Sequence, residues 1–172
     1  SGEAYTLPLP DSQGRALRSP VAGAAIPIYV ASMGPANLRL TGAMADGWIG
    51  AAFMPETAEV FLDPIREGAD SAGRLIGDVE LTVAASLEFT DDVETAGRRH
   101  AAGYAFTIGA MGSTATNFYN QAFCRAGYED SAKEVQRLWV ERKRDEAAAA
   151  VPDAVQLGVD EDLNAWMHSL DD

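Results

Sequence analysis

Ile26-Pro27-Ile28-Tyr29-Val30-Ala31-Ser32-Met33-Gly34-Pro35-Ala36-Asn37, with Ala45-Asp46-Gly47-Trp48-Ile49-Gly50 close behind it, is the segment on which the architecture turns. A short apolar run rich in β-branched and aromatic residues reads as a buried strand. Gly34 and Pro35 break that run where a helix should open, and Pro35 suits the first helical position because its missing N–H would be unpaired there anyway. Leu38, Leu40 and Met44 carry helical spacing, and Trp48-Ile49 starts the next apolar run. The order is strand, glycine turn, helix, strand: the βαβ unit of a parallel sheet. A helix that opens directly after a strand aims unpaired N–H groups and a positive dipole end at whatever sits above the sheet, commonly a phosphate.

On the amino-terminal side, residues 1–25 hold Pro8, Pro10, Pro20, Gly14 and Gly23 among polar residues and read as a loop segment with an extended piece near 4–9. The first strand is expected over 26–32 and its helix over 35–45. A second strand should cover 47–52 and a helix 55–73, which Pro64 should kink or split. Residues 79–89 are a long, mainly apolar stretch and predict a third strand. Thr90-Asp91-Asp92 is a helix-start signal for 93–105, and Gly109 and Gly112 punctuate the residues after that helix. Helical patterns then occupy 115–126, with Gly127 as a C-cap, and 129–151, with Ala132, Val135, Leu138 and Trp139 on one face and Pro152 as the stop. A last short helix is expected over 160–170. The organisation is one domain: a loop segment at 1–25, strand–helix units over 26–110 and a helical block over 111–172. Three parallel strands under so many helices look like the back part of something larger.

Composition narrows the partners. The 172 residues are 47% hydrophobic and 23% charged, as in a soluble globular protein, and no apolar run nears the roughly 20 residues of a membrane span. A net charge of −13, from 13 basic and 26 acidic residues, argues against nucleic acid and anionic membrane. Arg137, Arg142, Lys143 and Arg144 are interleaved with Glu134, Glu141, Asp145 and Glu146 and read as a solvated helix face. A lone Cys124 excludes an intrachain disulfide and suits a reducing, cytoplasmic setting. The chain opens Ser1-Gly2 without methionine, so its natural start is expected to lie elsewhere.

The residues also match a known family. Pro27-Ile28-Tyr29-Val30-Ala31-Ser32-Met33-Gly34-Pro35 is similar to a "P-I-[YW]-[LV]-A-A-x-G-P" strand and turn. Leu40-Thr41-Gly42 through Ala45-Asp46-Gly47-Trp48 resembles "L-x-G-x-x-A-D-G-W", and Phe53-Met54-Pro55-Glu56 resembles "F-x-P-E". Asn117-Phe118-Tyr119, Arg125-Ala126-Gly127-Tyr128 and residues 147–153 fit the C-terminal pattern. Together, over about residues 5–155, the chain resembles the C-terminal half of the luciferase-like monooxygenase superfamily, in the branch that uses the deazaflavin coenzyme F420. The resemblance implies an α/β fold, the C-terminal part of a TIM-type (β/α)8 barrel of about twice this length. The three strands would be its last. The front half, with the flavin-supporting bulge, most substrate-side residues and the catalytic groups, would be missing. The tail after Pro152-Asp153 is shorter and more acidic than the family's. Open sheet edges then predict a homo-oligomer or a complementing N-terminal half as partner.

By the same resemblance the cofactor phosphate sits at Met33, Gly34, Pro35, Ala36 and Asn37, with the N–H groups of Gly34, Ala36 and Asn37 as donors because Pro35 has none. The plain alternative is a glycine–proline pair that only punctuates a strand-to-helix turn. Gly50, Ala51 and Ala52 end the next strand on the same face, where small residues let a flat ring or ribityl chain approach; tight packing explains them equally well. Trp48 is assigned to the core, and Asp46 to a turn or cap. His100, four residues from Tyr104 on a helix, is read as a surface or packing residue and His168 as solvated. Arg125 is an ion-pair or carbonyl partner, with contact to the cofactor as the alternative, and Cys124 is a structural thiol. No His-Glu-x-x-His or paired-Cys spacing points to a metal.

Two functions remain at this level. One is an oxidoreductase moving a hydride or oxygen between F420, or alternatively FMN, and a small organic substrate. The other is a non-catalytic half barrel acting as an oligomeric or interaction module.

Overall fold

A computed structural model of the chain describes Pro8 and residues 11–15, 25–84 and 88–157. Strands β1 (Tyr29–Val30), β2 (Gly47–Gly50) and β3 (Glu80–Val83) form one parallel sheet in the order β1-β2-β3. Helix α1 (Pro35–Met44) joins β1 to β2, and α2 (Glu59–Ser71) joins β2 to β3, with short 3-10 turns on either side of α2 where the chain bends. Beyond the sheet come α3 (Val93–Ala110), α4 (Phe118–Phe123), α5 (Glu129–Val140), α6 (Arg144–Ala149) and α7 (Asp153–Leu157). The α/β architecture expected from the sequence is present.

The first strand is shorter than its apolar run. Pro27 has no N–H to give a ladder, and Ile28 is taken by Asp46: its N–H donates to Asp46 Oδ2 at 2.8 Å, and its carbonyl accepts the Asp46 N–H at 2.9 Å. Pairing therefore starts at Tyr29. Asp46 is the turn residue the sequence suggested, and it lies at the amino ends of the strands. β2 stops at Gly50, and Ala52 takes φ +55, a conformation that non-glycine residues adopt rarely. Of the expected third strand, 80–83 is paired, and 85–87 lie outside the described residues. So do the extended piece near 4–9 and the helix expected over 160–170.

Register puts Tyr29, Gly47 and Glu80 abreast on one face of the sheet, where the Tyr29 phenol donates to the Glu80 carboxylate. That hydrogen bond raises the tyrosine's pKa above its ordinary value. Val30, Trp48 and Leu81 share the other face. Trp48 is fully buried there with Leu38, Phe61, Ile65 and Val79, its ring 5.5 Å from that of Phe61. Burying one such aromatic is worth about 2–3 kcal/mol, so this cluster anchors α1 and α2 to β2. The two helices approach backbone to backbone. A Cβ on Gly42 would stand 1.9 Å from the Ile65 carbonyl, and one on Gly68 2.0 Å from that of Arg39. β3 is exposed along its whole length, including Leu81 and Val83.

A second core joins the later helices through Ile108, Phe123, Val135, Leu138 and Val151. Asp92 caps α3 as its sequence signals, accepting the Thr95 N–H at 3.0 Å. Three expectations are corrected here. α2 runs through Pro64, whose ring is buried, and the interruption falls instead at Ala58 after the Pro55–Thr57 turn. α3 continues past 105 to Ala110, because Gly109 is the contact point for Trp139 rather than a break. The helix expected over 129–151 ends at Val140. Arg142 sits at φ +63, its N–H bonds to the Trp139 carbonyl, and the Lys143 N–H bonds to that of Leu138: a Schellman stop without glycine.

Candidate functional site

The carboxyl ends of parallel strands are where loops gather ligand groups. Here the segment after β1 is unusually well held. Trp48 Nε1 donates to the Ser32 carbonyl at 2.9 Å. Ser32 Oγ lies 2.8 Å from Thr41 Oγ1, and Thr41 donates its proton to the Asn37 carbonyl at 2.8 Å, so Ser32 is the donor to Thr41. Both hydroxyls are buried. The Met33 carbonyl accepts from Arg125 Nη2 at 2.7 Å, across 92 residues of chain. The Gly34 carbonyl accepts the Leu38 N–H at 2.9 Å and starts α1.

Carbonyls 32, 33, 34 and 37 are therefore all committed. The donors are not. Gly34 is the N-cap of α1 with no side-chain cap, Pro35 occupies the first helical position, and the first turn carries no acidic residue. Ala36 and Asn37 stand in that first turn, where backbone N–H groups have no intrahelical partners. Gly34 has an ordinary extended φ of −79, and a Cβ on it would meet nothing within 4 Å. Neither backbone conformation nor packing asks for glycine at this position. The donor set suits an oxyanion.

The loop after β2 is less open. Gly50 is buried, and a Cβ there would stand 2.5 Å from the Trp48 ring and 2.8 Å from Val83, so packing alone requires this glycine. Ala51 is half-buried. Ala52 is also half-buried and packs against the helical core along with Met54. Two buried side-chain polar atoms among the described residues lack a partner, Thr57 Oγ1 in the turn after β2 and Arg125 Nε.

Sequence reasoning did not pair Ser32 with Thr41, although a serine in an apolar run and a threonine on the facing helix were the available signal. It left Arg125 open between partners. The structure gives it a carbonyl and, among the described residues, no carboxylate, and burial pushes its pKa down. His100 is exposed and lies 3.1 Å from Glu88; that bond and Arg99 hold the Glu88 carboxyl below its usual range. Cys124 is half-buried, and burial pushes its thiol up, away from nucleophilic use. Among the described residues no group of three His, Cys, Asp or Glu is placed to hold a metal, and no helix is long and apolar enough to cross a membrane.

The sequence pattern of the luciferase-like monooxygenases matches residues 1–158. The chain belongs to that family. It is 32% identical over 162 residues to a Mycobacterium tuberculosis protein provisionally named a coenzyme F420-dependent oxidoreductase, covering 89% of this chain and 46% of that one. A 5,10-methylenetetrahydromethanopterin reductase of Methanopyrus kandleri is 32% identical over 76 residues, 44% of this chain and 22% of that protein. An F420-dependent glucose-6-phosphate dehydrogenase of Kineococcus radiotolerans is 35% identical over 69 residues, 39% of this chain and 20% of that enzyme. Among solved structures, the coenzyme F420-dependent tetrahydromethanopterin reductase of Methanopyrus kandleri superposes with a TM-score of 0.58 at 22% identity, covering 77% of this chain and 37% of that one. The fold is thus part of a TIM-type barrel. The chain spans about half the length of the first of these relatives or less. The family and fold implied by the motifs are borne out.

Proposed function

We propose that this chain supplies the phosphate end of a coenzyme F420 site in a luciferase-like oxidoreductase acting on a small organic substrate. The observation that carries the reading is the turn at 32–37, whose carbonyls accept hydrogen bonds from the chain and whose Gly34, Ala36 and Asn37 N–H groups have no partner among the described residues, beside a glycine that the fold itself does not need. The F420-dependent names of the relatives favour deazaflavin over FMN. When bound, the deazaflavin supplies a hydride to the substrate or takes one from it. The turn's part is to hold the phosphate by preorganised donors, which fixes the ring without a cost of reorganisation. Gly50, Ala51 and Ala52 lie where the next strand ends and would be the neighbouring residues on the ring side of the phosphate, although packing by itself accounts for Gly50 and Ala52.

The test is Gly34→Val. A Cβ at this position meets nothing within 4 Å and the backbone is extended, which a β-branched residue accepts, so the melting temperature should stay close to that of the parent. Deazaflavin affinity, read by fluorescence quenching, should fall about tenfold or more. Unchanged affinity with unchanged stability would remove the turn from the site, and stronger binding of FMN than of F420 would reassign the cofactor.

A further inference from the structure

Arg125 is the least explained charge among the described residues. Arg39, Arg66, Arg98, Arg99 and Arg137 each meet a carboxylate, with side chains 43% or more exposed. Arg125 is less exposed and meets none among the described residues, in a chain with twice as many acidic as basic residues. Arg74 is the useful contrast. It too lacks a carboxylate, but it spreads over three carbonyls, Gly42, Ala45 and Asp78, and closes the end of α1. Arg125 holds one carbonyl, that of Met33, and its Nε is sealed from solvent without a partner. An uncompensated, partly buried cation is costly, and a neutral side chain would hold a carbonyl as well.

The carbonyl it holds belongs to a peptide with an unusual freedom. In a trans peptide the C=O of one residue and the N–H of the next point in opposite directions. Fixing the Met33 carbonyl therefore fixes where the Gly34 N–H points. Rotating that peptide by half a turn would carry Gly34 from φ −79 to a positive φ, which glycine accepts and other residues resist. The flipped state would put the Met33 carbonyl where the Gly34 N–H had been and would repel an anion.

We propose that Arg125 is a positioning residue of the turn: it latches the Met33–Gly34 peptide with its N–H directed at the anion site, and its uncompensated charge favours a phosphate there. The latch rests on the phosphate-turn reading above and goes beyond it by naming what keeps the turn in its donor-forward state. It also makes that state depend on the helical block, since Arg125 lies in the wide turn Cys124–Tyr128 between α4 and α5.

The experiment tracks the Gly34 amide by NMR while inorganic phosphate is added, and deazaflavin binding by fluorescence, in the parent protein, Arg125→Lys, Arg125→Met, Gly34→Ala and the Gly34→Ala/Arg125→Met double variant. Arg125→Met is expected to split or shift the Gly34 resonance and weaken phosphate about tenfold, as loss of one charge-assisted hydrogen bond would. Arg125→Lys should recover most of that loss. In the Gly34→Ala background, where the flip is blocked, the loss caused by Arg125→Met should shrink to about twofold. An unmoved Gly34 resonance with parental phosphate binding in Arg125→Met overturns the proposal, and so does an equal loss in both backgrounds or with lysine. A parent protein whose Gly34 amide ignores phosphate overturns it as well. An intact phosphate response and latch without deazaflavin quenching would leave the latch standing and sink the cofactor assignment.

Discussion

The buried Ser32–Thr41 pair yields a sharp prediction, because its two hydroxyls are not equivalent. Thr41 gives its proton to the Asn37 carbonyl and accepts from Ser32, and both side chains are sealed from water. Ser32→Ala deletes one hydrogen bond and leaves Thr41 with its other partner, a cost of about 1 kcal/mol. Thr41→Val keeps the shape but deletes two bonds and strands the Ser32 hydroxyl in the interior. Two bonds at about 1 kcal/mol each plus about 1 kcal/mol for the orphaned donor come to about 3 kcal/mol. The double variant loses the same two bonds with no orphan, about 2 kcal/mol. Adding Ser32→Ala to Thr41→Val should therefore restore about 1 kcal/mol, although each change alone destabilises. Urea unfolding monitored by circular dichroism measures all four proteins, and the m-values should agree so that midpoints can be compared. A double variant as unstable as the sum of the singles, about 4 kcal/mol below the parent, would refute this proton assignment and with it the account of how the turn is held.

Three further outcomes can be checked. Gly68→Ala pushes a methyl to within 2.0 Å of the Arg39 carbonyl, so α1 and α2 must part; the gain in helix propensity, about 1 kcal/mol, should be outweighed and stability to chemical denaturation should drop by about 2 kcal/mol. Arg142→Gly relieves a left-handed residue worth about 1–2 kcal/mol and costs about 0.5–1 kcal/mol in unfolded-state entropy, so the protein should gain about 0.5 kcal/mol, read in the same assay. Thr95 holds the Asp92 carboxyl below the usual carboxylate range by side-chain and backbone hydrogen bonds. The stabilisation from that cap is fully present above the unfolded value near pH ~4 and is lost as pH falls through the lower folded value. Helicity of the parent should fall more steeply below pH ~4 than that of Asp92→Asn, which caps without titrating.

The features legible in the chain are those set by local chemistry. Gly73, at φ +69, ends α2 through bonds from its own N–H to the Asp70 carbonyl and from Arg74 to that of Ala69, and a glycine in that place announces a helix end. Arg142 closes α5 by the same two bonds, but an arginine announces nothing, so the pattern over 129–151 reads as one long helix where there are two. The strand–turn–helix at 26–44 is readable because Gly34 and Pro35 mark it. The shortening of β1 is not, because it depends on Asp46 folding back onto Ile28. Arg125 marks the limit most clearly. Its residue type predicts a carboxylate or carbonyl partner, yet which one depends on a segment 92 residues away, and only packing brings the two together.

The bonding inside the turn has a practical consequence. The carbonyls of Ser32, Met33, Gly34 and Asn37 each already accept a hydrogen bond from the chain's own donors, which favours an anion over a cation as the turn's visitor. If the turn holds the cofactor phosphate as proposed, phosphate or sulfate in an assay mixture acts as a competitor rather than an inert salt. Two laboratories measuring this protein in phosphate and in a zwitterionic buffer would obtain different apparent affinities for the same cofactor, and the ratio would report how much of that affinity comes from the turn.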